Sequence, residues 1–251
     1  MFEVKNLSAR YGKREILKDI SFCLQDGSIV GLLGANGCGK TTLLKALCGI
    51  LPHEGKCLLD DVRLEGLSSR ETAKKVSYIP QRSGICIDLT ALDVVLMGFN
   101  PQLRLLQQPT GEMQETARQM LAKVGVEAEE NYLELSEGQK QLCILARTMV
   151  SGGKLLLLDE PESALDLSNR YEIFDLLRHW LDDRIILAAL HDPQLALQVC
   201  DTLLLLKDRK IVSVLHPKED CMADMEQALC GIYGRVKLRE AEGSLVMIKG
   251  G

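Results

Sequence analysis

Short, continuous apolar runs recur along the chain, and each is followed by polar or glycine-rich residues. The clearest of these runs lie at 30–33, 155–158, 185–190 and 203–206. Continuous apolar runs of this length are typical of parallel strands that are covered on both faces. Segments with helical spacing, at 169–181 and 193–200, separate the later runs. This alternation of strands and helices predicts an α/β fold.

The middle and the end of the chain have different patterns. Glycine and proline interrupt the middle, and two segments with helical spacing, 113–124 and 140–150, follow them. We therefore predict a mostly helical insertion at about 82–152. The segment after Pro217, with glycines at 231 and 234, predicts a small appendage at 216–251, so we expect the main domain to span 1–215.

A glycine-rich segment follows the first apolar run and precedes a segment with helical spacing. Its sequence is Gly34-Ala35-Asn36-Gly37-Cys38-Gly39-Lys40-Thr41-Thr42, a match to G-x-x-x-x-G-K-T in the context that a phosphate-binding loop requires. Glycines let backbone N–H groups converge on phosphate oxygens, and the helix start adds its positive dipole end. We expect Lys40 to reach the β- and γ-phosphates of ATP and the Thr41 hydroxyl to bind Mg²⁺. A glycine-rich turn before an ordinary helix is the alternative, and the complete match argues against it.

An acidic pair ends the four-leucine run at 155–158. Asp159 matches the carboxylate that holds Mg²⁺ through water in nucleoside triphosphatases. We expect Glu160 to polarise the attacking water. Two solvated acids at a strand end are the alternative, but a buried strand that leads directly into Asp-Glu-Pro favours the catalytic interpretation.

A pentapeptide lies between these two elements, with the sequence Leu135-Ser136-Glu137-Gly138-Gln139. Together with the phosphate loop and the acidic pair, it resembles the LSGGQ signature of the ATP-binding-cassette (ABC) ATPases. The resemblance spans essentially the whole chain. It implies an α/β fold with a P-loop, RecA-like core, an antiparallel β subdomain and an inserted helical subdomain. It also implies that two copies pack head to tail, each pentapeptide completing the ATP site of the other copy.

The resemblance implies roles for residues elsewhere in the sequence. Gln81 matches the Q-loop glutamine, which contacts the metal and water and links to a transmembrane partner. His191 matches the switch histidine near the γ-phosphate, and Asp166 ends a segment, 163–166, that resembles the D-loop at the dimer interface. Tyr11 lies where the family stacks an aromatic ring on adenine, although a tyrosine beside a glycine is equally typical of a turn.

The implied contacts fall into three sets. Nucleotide contacts are implied for Tyr11, Gly34, Asn36, Gly37, Cys38, Gly39, Lys40, Thr41, Thr42, Ser136, Gly138, Gln139 and Asp166. Metal contacts are implied for Thr41, Gln81 and Asp159. Catalytic roles are implied for Lys40, Gln81, Glu160 and His191.

Four positions depart from the family's usual pattern. Glu137 replaces a glycine of the signature, so we expect weaker closure around ATP unless its carboxylate points outward. Leu142 stands where an arginine is usual, and Glu162 adds a third acid beside the acidic pair. Arg209 follows Asp208 in a predicted hairpin turn where glycine is usual, which costs about 1 kcal/mol if φ is positive there.

Three local segments resemble one branch of the family, the ATPases of iron-chelate, haem and cobalamin importers. They lie at 92–98, 190–196 and 232–236, and zinc or manganese importers share part of them. This resemblance implies a separate transmembrane permease and, indirectly, a substrate-binding protein. The apolar segment 85–97 then predicts a docking groove for a permease helix; burial within the helical region is the alternative.

Composition and charge narrow the location and the partners. A net charge of −5 and a pI near 5.5 argue against nucleic acid as a partner. No apolar run has the length of a bilayer span, and residues 1–20 have no secretory pattern. Nine scattered cysteines without a C-x-x-C pair suit a reducing cytosol. We expect a cytoplasmic protein that is peripheral on the inner membrane face through its permease. For Cys38, in the phosphate loop, we expect the helix start to lower the pKa of the thiol.

Two other functions are consistent with parts of this pattern. A soluble ABC ATPase of repair, translation or cluster assembly commonly carries two cassettes or a long inserted coil, and neither is present in the sequence. A degenerate, nucleotide-dependent scaffold is the non-enzymatic alternative. Intact Lys40, Glu160 and His191 argue against it.

Overall fold

The computed structural model of the chain describes residues 1–81, 84–104, 106–163 and 165–250. Ala164 of the predicted D-loop therefore lies outside the described residues. In chain order the strands are β1 Phe2–Tyr11, β2 Arg14–Leu24, β3 Ser28–Leu33, β4 His53–Leu59, β5 Val62–Arg63, β6 Val76–Ile79, β7 Leu155–Asp159, β8 Ile185–Ala189, β9 Thr202–Lys207, β10 Lys210–Leu215, β11 Val236–Ala241 and β12 Ser244–Lys249. The helices are α1 Lys40–Leu47, α2 Ser69–Lys75, α3 Ala91–Leu96, α4 Gly111–Lys123, α5 Glu137–Val150, α6 Leu167–His179, α7 Pro193–Val199 and α8 Met222–Tyr233, with a short 3₁₀ helix at Met97–Phe99.

A six-stranded sheet forms the centre of the molecule, in the order β10-β9-β3-β8-β7-β6. Its neighbouring strands are parallel except for the β9–β10 pair. Every residue of β7 and of β8 is buried, as expected of parallel strands covered on both faces. The strands predicted from the apolar runs are thereby confirmed.

The two faces of this sheet pack into two different hydrophobic cores. Leu156 and Leu158 of β7 contribute to a core that also contains residues of α3, α4 and α5. Leu155 and Leu157, which alternate with them, contribute to a core shared with α1 and a second sheet. That second sheet is four-stranded and antiparallel, in the order β2-β1-β4-β5. The predicted fold class, an α/β core with an antiparallel β subdomain and a helical region, is confirmed.

Several helices begin earlier than their apolar spacing predicts, because side chains cap their first turns. The predicted segment 140–150 lies within α5, which begins at Glu137 after an N-cap at Ser136. The predicted segment 169–181 overlaps α6, where Asp166 is the N-cap and its side chain accepts a hydrogen bond from Asn169 N at 2.9 Å. Caps of this kind satisfy backbone N–H groups that have no partner within the helix.

The apolar segment 85–97 divides into a partly exposed first part, 85–90, and the helix α3, whose apolar residues pack into the helical region. Val94 and Val95 are fully buried in the core. Burial therefore accounts for the apolar residues of α3, and the prediction that they line a docking groove is wrong for these residues. Ile87 is different, since 58% of it is exposed.

The last part of the chain forms α8 and a two-stranded hairpin of β11 and β12. The hairpin is tied to the core by the Gln194 side chain on α7. Its Nε2 donates to Leu245 O at 2.8 Å and its Oε1 accepts from Met247 N at 2.7 Å. Within the described part of the chain, no helix has both the length and the apolar character needed to cross a bilayer.

Candidate functional site: the nucleotide-binding edge of the parallel sheet

The loop between β3 and α1 depends on glycine at two positions. Gly39 has a φ of +116°, a conformation that L side chains rarely adopt. A Cβ atom at Gly34 would lie 2.4 Å from the carbonyl oxygen of Leu206 on β9. Glycine at 39 thus permits the backbone turn, and glycine at 34 permits close packing of the loop on β9.

Lys40 begins α1 and closes the loop from inside. Its ammonium group donates to the carbonyl oxygen of Gly34 at 2.9 Å, and only 6% of the residue is exposed. This hydrogen bond places the ammonium group at the loop, where anionic oxygens can reach it.

Asp159, at the end of β7, is 3% exposed and contacts two hydroxyl groups. Thr41 Oγ1 donates to its Oδ1 at 2.9 Å, and the Tyr78 hydroxyl donates to its Oδ2 at 3.2 Å. Burial, and to a lesser extent the charge of Asp159, raises the pKa of Tyr78 above its usual range, so its hydroxyl remains a donor. The Thr41 hydroxyl and the Asp159 carboxylate are oxygen donors, the kind that Mg²⁺ takes in proteins, and the pair fits that ion.

Glu160, the next residue, has a strained backbone. Its φ is +52°, in the left-handed region, which costs a non-glycine residue about 1–2 kcal/mol. Its N–H donates to Ala189 O at 3.0 Å, and its Oε2 accepts from Gln81 Nε2 at 2.6 Å. Residues in such sparsely populated backbone conformations cluster at active sites, so the strain marks Glu160 as a candidate for function.

His191 and Glu162 meet beside this turn. Glu162 Oε1 accepts from the His191 backbone N–H at 2.9 Å, while its buried Oε2 has no hydrogen-bond partner among the described residues. Only 2% of Glu162 is exposed. Burial raises the pKa of this carboxyl and outweighs the hydrogen bond from His191, which lowers it.

A cavity of about 650 Å³ brings most of the predicted site residues together. Its lining residues are Arg14, Ile16, Asn36, Gly37, Gly39, Lys40, Thr41, Thr42, Gln81, Glu160 and His191. Parallel strands explain the convergence, since β6, β7 and β8 all end at this edge of the sheet. No local sequence signal marks Arg14 and Ile16, on β2, because only the packing of the antiparallel sheet brings them to this cavity.

Cys38 and Tyr11 lie outside this cavity. Cys38 lines an adjacent cavity of about 790 Å³ that shares Arg14 and Ile16 with the first. Burial raises the pKa of its thiol and outweighs the Lys40 ammonium, so the expectation of a lowered pKa is wrong. Tyr11, at the end of β1, is 49% exposed, and its stacking on adenine stays a prediction.

The signature pentapeptide lies at the start of α5, and none of its residues, all of them described, lines either cavity. Ser136 Oγ accepts from Gln139 N at 3.2 Å, and Ser136 N donates to Gln139 Oε1 at 3.0 Å. This reciprocal pair is a capping box, for which S-x-x-Q is the sequence signal. The Glu137 side chain is 76% exposed and pairs with Lys140 at 2.9 Å, so its carboxylate points outward.

The fold and the cavity together define a P-loop ATPase of the cassette type. The family model described as "ABC transporter" matches residues 17–163. The chain therefore belongs to the ABC transporter family, and it is an ABC ATPase.

Two relatives and one solved structure extend this similarity. The chain is 37% identical over 217 residues to the "Probable iron chelatin transport ATP-binding protein" of Helicobacter pylori, covering 84% of this chain and 85% of that protein. It is 34% identical over 259 residues to the hemin import ATP-binding protein HmuV of Pseudomonas fluorescens, covering 99% of each. A metal-chelate type ABC transporter in an inward-facing conformation matches with a TM-score of 0.81 and 26% identity, over 98% of this chain and 95% of that one.

Proposed function

We propose that the chain is the ATP-hydrolysing subunit of an importer for iron chelates, haem or cobalamin, bound to a separate permease at the inner membrane face. The observation that carries the proposal is the similarity to a metal-chelate type transporter, which extends over 98% of the chain and so includes α8 and its hairpin. Relatives named for iron-chelate and hemin import support the same substrate class. A substrate-binding protein would deliver the ligand to the permease.

In this proposal the cavity binds the triphosphate of ATP. The loop amides and Lys40 hold the phosphates, while Thr41 and Asp159 hold Mg²⁺ with the help of Gln81. The ion would neutralise charge on the phosphate oxygens. Because Tyr78 donates to Asp159 Oδ2 and Thr41 donates to Oδ1, both carboxylate oxygens are oriented before any ligand binds.

Glu160 is proposed to orient and polarise the attacking water. Its carboxylate lines the cavity with His191, and Gln81 holds one of its oxygens at 2.6 Å. His191 would contact the γ-phosphate from the adjacent strand end. Glu162 then acts on His191 through the backbone, since its Oε1 holds the N–H of that residue.

A second copy is proposed to complete the site. The N-terminus of α5 is exposed at Ser136 and carries the positive end of a helix dipole, which favours an anion. Ser136, Gly138 and Gln139 would contact the ATP held by the other copy, with Asp166 at the interface between the two. Tyr11 would stack on adenine from within the same chain.

Docking of the permease is proposed near the exposed residues 86–88. Ile87 presents an apolar side chain that is 58% exposed, close in sequence to a glutamine that contacts Glu160. An Ile87→Asp variant should lose co-purification with the permease and keep the ATPase activity of the isolated subunit.

The substrate class is tested by uptake in the source organism. Deletion of this gene should abolish uptake of one among a radiolabelled iron chelate, haem and cobalamin. The wild-type gene should restore that uptake, and the Glu160→Gln gene should not. Unchanged uptake of all three substrates, together with normal ATPase activity of the purified protein, would overturn the importer proposal and favour a soluble, non-transport ABC ATPase.

A further inference from the structure

A histidine, a cysteine and a glutamate meet in the antiparallel sheet, away from the nucleotide cavity. His53 and Cys57 are four residues apart on β4, which places both side chains on one face of the strand. Glu65 follows β5, the strand that pairs with the end of β4. The hydrogen bond from Leu64 N to Cys57 O, at 2.9 Å, brings this segment back beside Cys57.

The three ligand-type atoms have the spacing of a metal site. His53 Nε2 lies 3.1 Å from Glu65 Oε1 and 3.6 Å from Cys57 Sγ, and all three atoms lie within 4.8 Å of one another. Typical Zn–N, Zn–O and Zn–S bonds arranged as a tetrahedron separate nitrogen from oxygen by about 3.4 Å and nitrogen from sulfur by about 3.6 Å. A zinc-sized ion therefore fits with shifts of a few tenths of an ångström.

The carboxylate of this cluster is already held in place. Glu65 Oε1 accepts from Cys57 N at 2.6 Å, and its Oε2 accepts from Arg63 Nε at 3.0 Å. Hydrogen bonds that orient a ligand in this way are typical of the residues surrounding metal sites. The cluster is also well shielded, since Cys57 is fully buried and the His53 side chain is 9% exposed.

An entry path reaches the cluster from one side. A cavity of about 660 Å³ is lined by His53 and Glu65, together with residues that follow α1, among them Cys48 and Gly49. A metal site needs such a path, and three protein ligands leave a fourth position for water. Cys48 lines the same cavity but is not part of the cluster.

We propose that His53, Cys57 and Glu65 bind one borderline divalent transition-metal cation, of which Zn²⁺ is the representative. A thiolate, an imidazole and a carboxylate together favour Zn²⁺ or Co²⁺ over Mg²⁺ and Ca²⁺, which prefer oxygen donors alone. Binding releases the Cys57 proton to solvent and uses the Nε2 lone pair of a neutral His53. A hydrogen-bonded network that only joins β4 to the segment after β5 is the competing explanation.

The test titrates the metal-stripped full-length protein with Co²⁺ and follows absorption. The expected result is one Co²⁺ per chain with a thiolate-to-cobalt charge-transfer band in the near ultraviolet, displaced by Zn²⁺. Cys57→Ser should lose the band and Cys48→Ser should keep it. Arg63→Gln, which frees Glu65 Oε2, should weaken binding about 10- to 100-fold. Absence of the band in the parent, or its persistence in Cys57→Ser, would overturn the proposal.

A second measurement does not depend on variants. X-ray absorption of the zinc-loaded parent should give one sulfur ligand at about 2.3 Å with the remaining ligands nitrogen or oxygen. A first shell without sulfur, or with two or more sulfurs, would contradict a site built from this cluster.

Discussion

The nucleotide-binding edge of the parallel sheet and the N-terminus of α5 are built in opposite ways. At the sheet edge, polar groups converge on a cavity of about 650 Å³, and Glu160 is held at a strained φ of +52°. At the start of α5, Ser136 and Gln139 satisfy each other's hydrogen bonds and face outward. At the sheet edge polar groups thus surround a preformed cavity, which we propose binds phosphate, whereas the exposed helix end lines neither of the two cavities beside the phosphate loop.

The physical origin of the contrast is topology. Parallel strands end together, so residues from distant parts of the sequence collect at one edge. A helix N-terminus instead offers its dipole and free N–H groups to whatever approaches from outside. Four predictions test the proposal that the sheet edge is preformed and that the α5 end completes the site of a second copy.

The largest effect is expected from Glu160→Gln at the sheet edge. Glutamine has the same shape and can still accept from Gln81, but it cannot polarise water as a carboxylate does. Hydrolysis should fall about 10²- to 10⁴-fold while ATP binding persists. ATPase assays and size-exclusion chromatography with ATP should show an inactive, ATP-stabilised dimer. The control is Glu219→Gln, which makes the same change at an exposed position. Normal hydrolysis by Glu160→Gln would show that Glu160 does not polarise the attacking water.

Gly138→Asp tests the other half. A Cβ at Gly138 meets only ordinary contacts, Leu165 Cδ2 at 3.4 Å and Ser136 Oγ at 4.0 Å. An acid in the first turn is favourable for the helix, so the monomer should stay folded. A carboxylate facing the other copy's triphosphate should weaken ATP-dependent dimerisation at least about tenfold, or 1.4 kcal/mol.

Gly111→Asp provides the matched control for that variant. It also adds an acid to the first turn of a helix, α4, where a new Cβ meets nothing within 4 Å. Sedimentation with ATP should show normal dimers for this control. Equal weakening by both variants would mean that the effect is not specific to the signature.

Glu162→Gln tests whether the buried carboxyl of Glu162 makes the stability of the protein depend on pH. Because burial raises its folded pKa, the stability associated with this group is fully present below the unfolded value of 4.5 and is lost as pH rises through the folded pKa. Glutamine keeps an acceptor for His191 N but has no charge to bury. Thermal unfolding from pH 5 to pH 8 should show the variant gaining stability relative to the parent as pH rises. A difference that does not change with pH would contradict a raised pKa.

The smallest effect is expected from Glu137→Gln. Its carboxylate is exposed and paired with Lys140, and such helical pairs contribute about 0.2–0.5 kcal/mol. Stability should change by no more than that, and ATP-dependent dimerisation by less than about threefold. Lys140→Gln removes the same pair and keeps the acid. A tenfold gain in dimerisation for Glu137→Gln alone would show that the acid does oppose closure.

Much of the site could be predicted from sequence because its signals are local. The phosphate loop is one continuous segment, and Asp159 and Glu160 directly follow their leucine run, so residue type and spacing suffice for each. At Arg209 the φ of +69° meets the condition under which replacing glycine costs about 1 kcal/mol. The assigned roles of the site residues remain proposals.

Burial and contacts across elements are different, because they depend on which surfaces pack together. Tyr78 contacts Asp159 only because β6 lies beside β7, and Arg14 reaches the cavity only because the two sheets pack. The pKa of the Cys38 thiol is raised because the effect of its burial outweighs the opposite effect of the Lys40 charge. Residue type and local spacing were enough to predict the fold class, the phosphate-loop motif and the acidic pair. Packing between elements instead buries Glu162, leaves Ile87 exposed and brings the metal-ligand cluster together. These outcomes could not be predicted from the sequence, because desolvation and distance are properties of packed surfaces.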